Sequence, residues 1–173
     1  MTRPALFLDR DGTLMVDHGY VADPHDVALL PGVVQALADL QKAGYFLFLV
    51  SNQSGVARGL MTETQLTQVH ERLTQILAEH DVRLDAAYYC LHGPDAGCSC
   101  RKPAPGMLLR AASEFDVDLG RSIMIGDKPT DVAVGRAVGC RTVHYAAADP
   151  EDADLVTTDW QEIRAWLLCQ KDK

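Results

Sequence analysis

Residues 5–13 read Ala-Leu-Phe-Leu-Asp-Arg-Asp-Gly-Thr, and this stretch decides the fold. Four apolar residues are enough for a strand, and they run directly into two carboxylates, a glycine and a hydroxyl. In an open α/β sheet, functional groups gather at the carboxyl ends of the strands, where the crevice lies. The stretch therefore predicts a buried strand that places Asp9 and Asp11 at the mouth of a crevice. The alternative is a surface turn, which is common for sequences rich in Asp and Gly.

Apolar strands and helical periodicities alternate along the rest of the chain. Helices are predicted from Val33 to Ala43, where Ala43-Gly44 ends the pattern, and over 63–80, 105–115, the segment up to about 138, and 160–169. Further strands are predicted over 45–50, 86–91, 122–125, 141–145 and 154–157. Residues 14–30 are expected to be a polar, irregular loop. The alternation predicts an α/β fold with a doubly wound, Rossmann-like parallel sheet, in a single domain over 1–173.

Composition narrows the class of partner. The chain has 173 residues and a formal net charge of −8. Nucleic acid and acidic membrane surfaces require a basic footprint, so neither is expected as a partner. The first residues contain no apolar stretch long enough for a secretory signal, which predicts a cytoplasmic location. We expect a monomer.

Polar side chains follow four of the predicted strands. They are Asp9 with Asp11, Ser51 with Asn52, Arg101 with Lys102, and Asp127 with Lys128. A carboxylate can attack phosphorus only if a cation such as Mg²⁺ and basic side chains offset the repulsion between two anions. The four groups supply both requirements, so they predict phosphoryl chemistry.

In this order, D-x-D-G-T, S-N, K and G-D-x-x-x-D resemble the four motifs of the haloacid dehalogenase superfamily of phosphatases. The resemblance implies a haloacid dehalogenase-like fold in which Asp9 is the nucleophile and Asp11 the general acid/base. It implies that Ser51 and Lys102 stabilise the transferring phosphoryl group. The implied Mg²⁺ ligands are Asp9, the backbone carbonyl of Asp11, and Asp127, with Lys128 adjacent. Asp131 is placed just outside the ligands, or simply caps the following helix.

Cys90, His92, Cys98 and Cys100 form two close pairs, C-x-H and C-x-C, within residues 90–100, here called the zinc loop. Three thiolates and one imidazole match a closed tetrahedral Zn²⁺ site. The alternative is three reduced cysteines and an unrelated histidine, but the intervening Gly, Pro, Asp and Ser provide no apolar surroundings for buried thiols. We predict structural zinc that positions Arg101 and Lys102.

The zinc loop resembles one branch of the superfamily, shared by heptose-1,7-bisphosphate 7-phosphatases and histidinol-phosphate phosphatases. D-x-G-Y-V at 17–21, N-Q-S-G-V-A-R-G at 52–59 and C-R-K-P-A-P-G-M at 100–107 resemble the heptose enzymes, whereas the short zinc loop is closer to the histidinol enzymes. The resemblance implies a sugar bisphosphate as substrate, with Arg58 and Arg101 contacting its second phosphate. The other implied substrate-binding residues are Asp17, His18, Gly19, Tyr20, Asn52, Gln53 and Ser54.

The expected function is thus Mg²⁺-dependent hydrolysis of the 7-phosphate of D-glycero-D-manno-heptose 1,7-bisphosphate through an aspartyl-phosphate, in ADP-heptose and lipopolysaccharide core biosynthesis. Histidinol-phosphate phosphatase and a non-catalytic, zinc-stabilised binding module are the alternatives. The preferred anomer is left open. No insertion is long enough for a large cap domain, so short loops at 16–21, 53–59 and 90–100 are expected to roof the site.

The remaining histidines and cysteines carry little pattern. Surface or helical positions are expected for His25, His70, His80 and His144. Cys140 and Cys169 are expected to be small buried side chains.

Overall fold

The structure, a computed structural model, describes residues 2–148 and 153–169. Its strands are β1 (Ala5–Leu8), β2 (Phe46–Asn52), β3 (Ala86–Cys90), β4 (Ile123–Gly126), β5 (Arg141–His144) and β6 (Leu155–Val156). They form a six-stranded parallel sheet in the order β3-β2-β1-β4-β5-β6. The order reverses at β1, and a crevice opens at such a point beyond the carboxyl ends of the strands. The predicted doubly wound sheet and the position of Ala5–Leu8 are confirmed.

Helices cover both faces of the sheet. They are α1 (Val33–Lys42), α2 (Glu63–Ala78), α3 (Gly106–Phe115), α4 (Pro129–Ala137) and α5 (Trp160–Cys169). The helices α1, α2 and α5 pack on the face that carries Leu6 and Leu8, whereas α3 and α4 pack on the face that carries Ala5 and Phe7. All four residues of β1 are therefore fully buried.

The helix α2 begins with a capping box. The hydroxyl of Thr62 accepts the backbone N–H of Gln65 at 3.1 Å, and the Gln65 side chain accepts the N–H of Thr62 at 2.8 Å. This reciprocal pair satisfies two donors that a helix start otherwise leaves without partners.

Two segments differ from the prediction. β2 continues past Val50, because Ser51 and Asn52 pair with Tyr89 and Cys90 of β3. Residues 14–30 are less exposed than their polar composition indicates, since Leu14 and Met15 are fully buried in this segment. These apolar residues have no regular spacing, so neither a helical nor a strand period reveals them.

Two single-residue expectations were wrong. His144 is buried in β5, where its Nε2 lies 3.1 Å from the backbone oxygen of Asp127. Cys169 is exposed at the end of α5, whereas Cys140 is buried as predicted.

No large cap domain is present in the part of the chain that the structure describes. Within the same residues, no helix has both the length and the apolar content needed to cross a membrane.

Candidate active site

The two acids after β1 lie at the centre of the sheet edge. Asp9 continues the strand by one more bond, since its N–H donates to the backbone oxygen of Ile125 at 3.0 Å. Asp9 and Asp11 are both buried, and Asp11 borders a pocket of about 560 Å³. The crevice predicted at the carboxyl end of β1 is therefore present.

Lys102 is the buried cation of this site. Its Nζ lies 2.7 Å from Oδ1 of Asp9 and 2.6 Å from Oδ1 of Asp131, and it donates to the backbone oxygen of Val50 at 2.8 Å. Burial alone lowers the pKa of this ammonium, but the charges of Asp131 and Asp9 outweigh burial and raise the pKa above its ordinary value. Lys102 therefore stays protonated beside the predicted nucleophile.

Asn52 fixes the segment that delivers Lys102. The Asn52 amide donates to the backbone oxygen of Lys102 at 3.0 Å and accepts the backbone N–H of Lys102 at 3.0 Å. Since Asn52 ends β2, this reciprocal pair attaches the loop to the sheet edge. The sequence predicted substrate contact for Asn52, whereas the structure shows that it also positions the lysine.

Two further carboxylates converge beside Asp9. Oxygen atoms of Asp9, Asp127 and Asp131 all lie within 4.8 Å of one another. Oδ1 of Asp127 is buried and makes no hydrogen bond among the described residues. Burial, and then the charge of Asp9, raise the pKa of Asp127 to about 7. A buried carboxylate oxygen without a donor, next to other acids, fits a hard divalent cation such as Mg²⁺.

Gly12 makes room for this cluster. A Cβ atom built on Gly12 would lie 2.6 Å from Oδ2 of Asp127, and the backbone has a φ of +78°. A side chain at position 12 would therefore both strain the turn and displace the carboxylate.

Asp131 contacts the buried lysine directly, which the sequence does not indicate. Its Oδ2 accepts the N–H of Lys128 at 3.1 Å, which caps α4, and its other oxygen contacts Lys102. The capping role expected of Asp131 is present together with the ion pair.

The 560 Å³ pocket is lined by polar residues from four segments of the sheet edge. Seven predicted substrate-binding residues line it, namely Asp17, Gly19, Tyr20, Asn52, Gln53, Ser54 and Arg101. His18 and Arg58 are exposed and are not among the lining residues. Lys128 and Thr130 line the pocket, although the sequence assigned Lys128 only a place beside the metal and gave Thr130 no role. The signal for both is their position directly after β4, at the same edge.

Ser51 and Gln53 form a pair within the site. Nε2 of Gln53 donates to Oγ of Ser51 at 2.9 Å and to Oδ2 of Asp11 at 2.7 Å. Because the Ser51 oxygen accepts this bond, its own proton is available to a phosphoryl oxygen.

The zinc loop brings its four predicted ligands together. The Sγ atoms of Cys90 and Cys98 lie 3.7 Å apart, those of Cys98 and Cys100 lie 3.6 Å apart, and those of Cys90 and Cys100 lie 3.1 Å apart. Nδ1 of His92 lies 3.5 Å from the Cys90 sulfur and 3.2 Å from the Cys100 sulfur. A tetrahedral Zn²⁺ with Zn–S bonds of about 2.3 Å separates its sulfurs by roughly 3.8 Å, which two of the three sulfur pairs approach. The donor set and the convergence of its four atoms therefore fit zinc.

The loop also contacts the cations that follow it. Desolvation opposes ionisation of Cys98, but the backbone N–H of Arg101 and the neighbouring thiols lower its pKa to about 6. Nη1 of Arg101 donates to the backbone oxygen of His92 at 3.4 Å. Two contacts thus connect the zinc loop to the start of the Arg101-Lys102 segment.

Comparison with known proteins agrees with this geometry. A family model described as HAD-hydrolase-like matches residues 99–162. A D-glycero-beta-D-manno-heptose-1,7-bisphosphate 7-phosphatase of Photorhabdus laumondii is 50% identical over 136 residues, covering 75% of this chain and 72% of the relative. The Yersinia pestis protein of the same name is 42% identical over 170 residues, covering 91% of this chain and 88% of the relative.

A solved structure is similar over nearly the whole chain. It is the D,D-heptose 1,7-bisphosphate phosphatase of B. bronchiseptica in complex with magnesium and phosphate, with a TM-score of 0.86 and 32% sequence identity. The similarity covers 98% of this chain and 99% of that one.

Proposed function

Since the chain belongs to the family of D-glycero-beta-D-manno-heptose-1,7-bisphosphate 7-phosphatases, within the HAD-like hydrolases, we propose that Asp9 and Asp11 carry out this hydrolysis here. The chain is a phosphoric monoester hydrolase whose substrate is D-glycero-D-manno-heptose 1,7-bisphosphate. The relatives carry the β configuration in their names, which favours the β anomer as its preferred substrate.

The observation that carries the assignment of Asp9 is its contact with Lys102. A lysine that is 4% exposed holds one oxygen of Asp9 at 2.7 Å, and the pocket opens beside them. A buried ammonium beside a carboxylate nucleophile lowers the repulsion that an incoming phosphate would otherwise meet. A non-catalytic binding module would not need this arrangement.

The proposed reaction has two steps. In the first, an oxygen of Asp9 bonds to phosphorus while the bond from phosphorus to the C7 oxygen breaks, and the proton of Asp11 passes to that oxygen. In the second, a water oxygen bonds to phosphorus, its proton passes to Asp11, and the bond between phosphorus and Asp9 breaks. Ser51 and Lys102 stabilise the phosphoryl oxygens in both steps.

Asp9, Asp127 and the backbone carbonyl of Asp11 would hold Mg²⁺, with Lys128 beside them. When bound, the cation would neutralise charge on the phosphoryl oxygens. Asp131 would keep Lys102 in place at the side of this cluster.

The second phosphate of the substrate would meet the cations at the pocket rim. Arg101 lines the pocket and lies outside the Asp9–Lys102 pair, so it suits the phosphate that is not hydrolysed, whereas Lys128 stays beside the Mg²⁺ ligands. His18 and Arg58 would contribute from the adjoining loops. The four-ligand zinc centre would order the zinc loop and have no open position for catalysis.

Further proposals concern the setting of the enzyme. We place it in the cytoplasm, as a monomeric single domain in ADP-heptose and lipopolysaccharide core biosynthesis. No disulfide joins any of the five cysteines, all of which lie in the described residues, and this supports a reducing compartment. The net charge of −8 supports a small phosphorylated sugar rather than nucleic acid as partner.

The test is phosphate release from both anomers of the heptose bisphosphate, histidinol phosphate and fructose-1,6-bisphosphate, each with Mg²⁺. We expect the highest kcat/KM for the β heptose bisphosphate and no turnover by the Asp9→Asn variant. A preference for histidinol phosphate would overturn the substrate assignment. Turnover by folded Asp9→Asn would overturn the nucleophile.

A further inference from the structure

Arg10, between the two acids, is fully buried, although no motif in the sequence indicates a role for it. Burying a guanidinium is costly unless it is paired with good geometry. Its partner is Asp11: Nε of Arg10 donates to Oδ2 at 3.0 Å and Nη2 donates to Oδ1 at 3.1 Å. This is a two-point fork, which fixes the plane of a carboxylate as well as its position.

Gln53 adds a third donor to the same carboxylate, at Oδ2. A carboxylate has about four lone-pair positions, two on each oxygen. Oδ2 of Asp11 uses both of its positions, for Arg10 and Gln53, and Oδ1 uses one, for Arg10. One lone pair of Oδ1 is therefore left for a proton.

A pair of rings, Tyr89 of β3 and His70 of α2, lies next to Arg10. The hydroxyl of Tyr89 lies 2.8 Å from Nδ1 of His70, with the rings perpendicular at 89°. Burial raises the pKa of Tyr89, and the Arg10 guanidinium opposes that rise through its charge and a side-chain contact. Burial, and then the charge of Arg10, lower the pKa of His70. Both rings are thus close neighbours of the guanidinium.

The fork uses Nε and Nη2 of Arg10, and its Nη1 is buried without a hydrogen-bond partner among the described residues. The hydroxyl of Tyr89 contacts the guanidinium, and its hydrogen bond is with His70. Arg10 is therefore held chiefly by the fork to Asp11.

We propose that Arg10 is a positioning residue that, with Gln53, reserves Oδ1 of Asp11 for the proton exchanged with the C7 oxygen and with water. Tyr89 contacts the guanidinium and is itself held by a hydrogen bond with His70. The proposal rests on the proposed function, in which Asp11 is the general acid/base.

The test compares two leaving groups. A sugar alkoxide needs a proton as it leaves, whereas p-nitrophenolate is stable without one. The ratio kcat/KM reports the first bond-breaking step. The Arg10→Lys variant keeps the positive charge and loses the fork, so it should lower kcat/KM for heptose bisphosphate by about 100-fold or more. For p-nitrophenyl phosphate we expect kcat/KM to change by less than about threefold, and the KM for the sugar to stay unchanged.

Tyr89→Phe keeps the ring and removes only the hydroxyl, so it serves even if Arg10→Lys fails to fold. It should shift the ratio of the two kcat/KM values in the same direction by about threefold to tenfold, because the hydroxyl that contacts Arg10 and bonds His70 is lost. Asp11→Asn gives the upper limit of the ratio. Arg164→Lys changes another arginine–aspartate pair, Arg164 with Asp39 at 2.6 Å, and should leave both substrates unaffected.

An equal decrease in kcat/KM for both substrates, or an unchanged ratio of the two kcat/KM values in both variants, would overturn the positioning role. The wild-type enzyme tests the proposed function separately: without turnover of heptose bisphosphate, the ratio is measured with whichever other alkyl phosphate of the panel is hydrolysed.

Discussion

Replacing Lys102 by methionine tests whether the ammonium holds the acidic cluster together. The substitution keeps an unbranched stem and removes the charge that lies 2.7 Å from Asp9 and 2.6 Å from Asp131. The carboxylate oxygens of these two acids and Asp127 then remain within 4.8 Å of one another without the cation. At that separation and an effective dielectric constant of about 20, two like charges repel by about 3.5 kcal/mol.

The expected loss of unfolding free energy is about 3–5 kcal/mol, which is the usual cost of removing one partner from a buried ion pair. For a chain of this size, the loss corresponds to a decrease in Tm of roughly 6–20 °C. The carboxylates can relieve the repulsion by binding protons, so their pKa values rise in the folded variant. A carboxyl group whose pKa is higher in the folded state than in the unfolded state stabilises the folded protein at pH values below the unfolded pKa. That contribution to the unfolding free energy is lost as the pH rises through the folded pKa. The deficit of the variant should therefore grow from about pH 5 to about pH 8.

The assay is urea unfolding and thermal unfolding, both followed by circular dichroism at both pH values, with and without Mg²⁺. A divalent cation would replace part of the missing charge, so Mg²⁺ should raise the Tm of the variant more than that of the wild type. Lys42→Met, at an exposed lysine near the end of α1, is the matched control and should change stability by less than about 0.5 kcal/mol. A Lys102→Met variant as stable as this control at both pH values would refute the reasoning.

Three further results are expected. Thiol labelling of the zinc-loaded protein should modify Cys169 alone, and chelation of the zinc should expose the three zinc-loop thiols. Burial raises the pKa of Cys140 to about 12, so this thiol should react only when the protein unfolds. Asn52→Ala, which removes the amide pair to the lysine segment, should lower kcat about tenfold or more at little cost in Tm, measured by steady-state kinetics and thermal melting. Gly55→Ala should raise the KM for the heptose substrate with little change in kcat, because its Cβ would lie 2.6 Å from the Tyr20 ring; an unchanged KM would contradict a substrate contact by Tyr20.

The strands were predictable from the sequence because burial on both faces leaves an unbroken apolar run. Residues 5–8 and 45–50 show this clearly, and polar residues follow both runs. The end of β2 was not predictable in the same way, since Ser51 and Asn52 are polar and their pairing depends on where β3 ends. Strand ends are decided by the neighbouring strand, which a local pattern does not contain.

Residues that act on other residues were the hardest to predict. Arg10 lies between two acids, where an exposed ion pair is the simplest interpretation, yet it is fully buried. Its environment includes Tyr89 and His70, which are 79 and 60 positions further along the chain. Only the sheet order, with β2 between β1 and β3 and α2 on the same face, brings them together.

Lys102, the cation proposed to stabilise the transferring phosphoryl group, lies on a loop, whereas Asp9 and Asp127 follow strands, and this difference explains why the loop needs two anchors. Asp9 and Asp127 inherit their positions from hydrogen-bonded strands β1 and β4. Lys102 has no such ladder, and its segment is attached at one side by the Asn52 amide and at the other by the contacts of Arg101 with the zinc loop. A positioned group contributes to the rate only if it is held before substrate arrives. A structural zinc site therefore has a role in the proposed reaction, because it would hold the lysine segment in place as the sheet holds the acids.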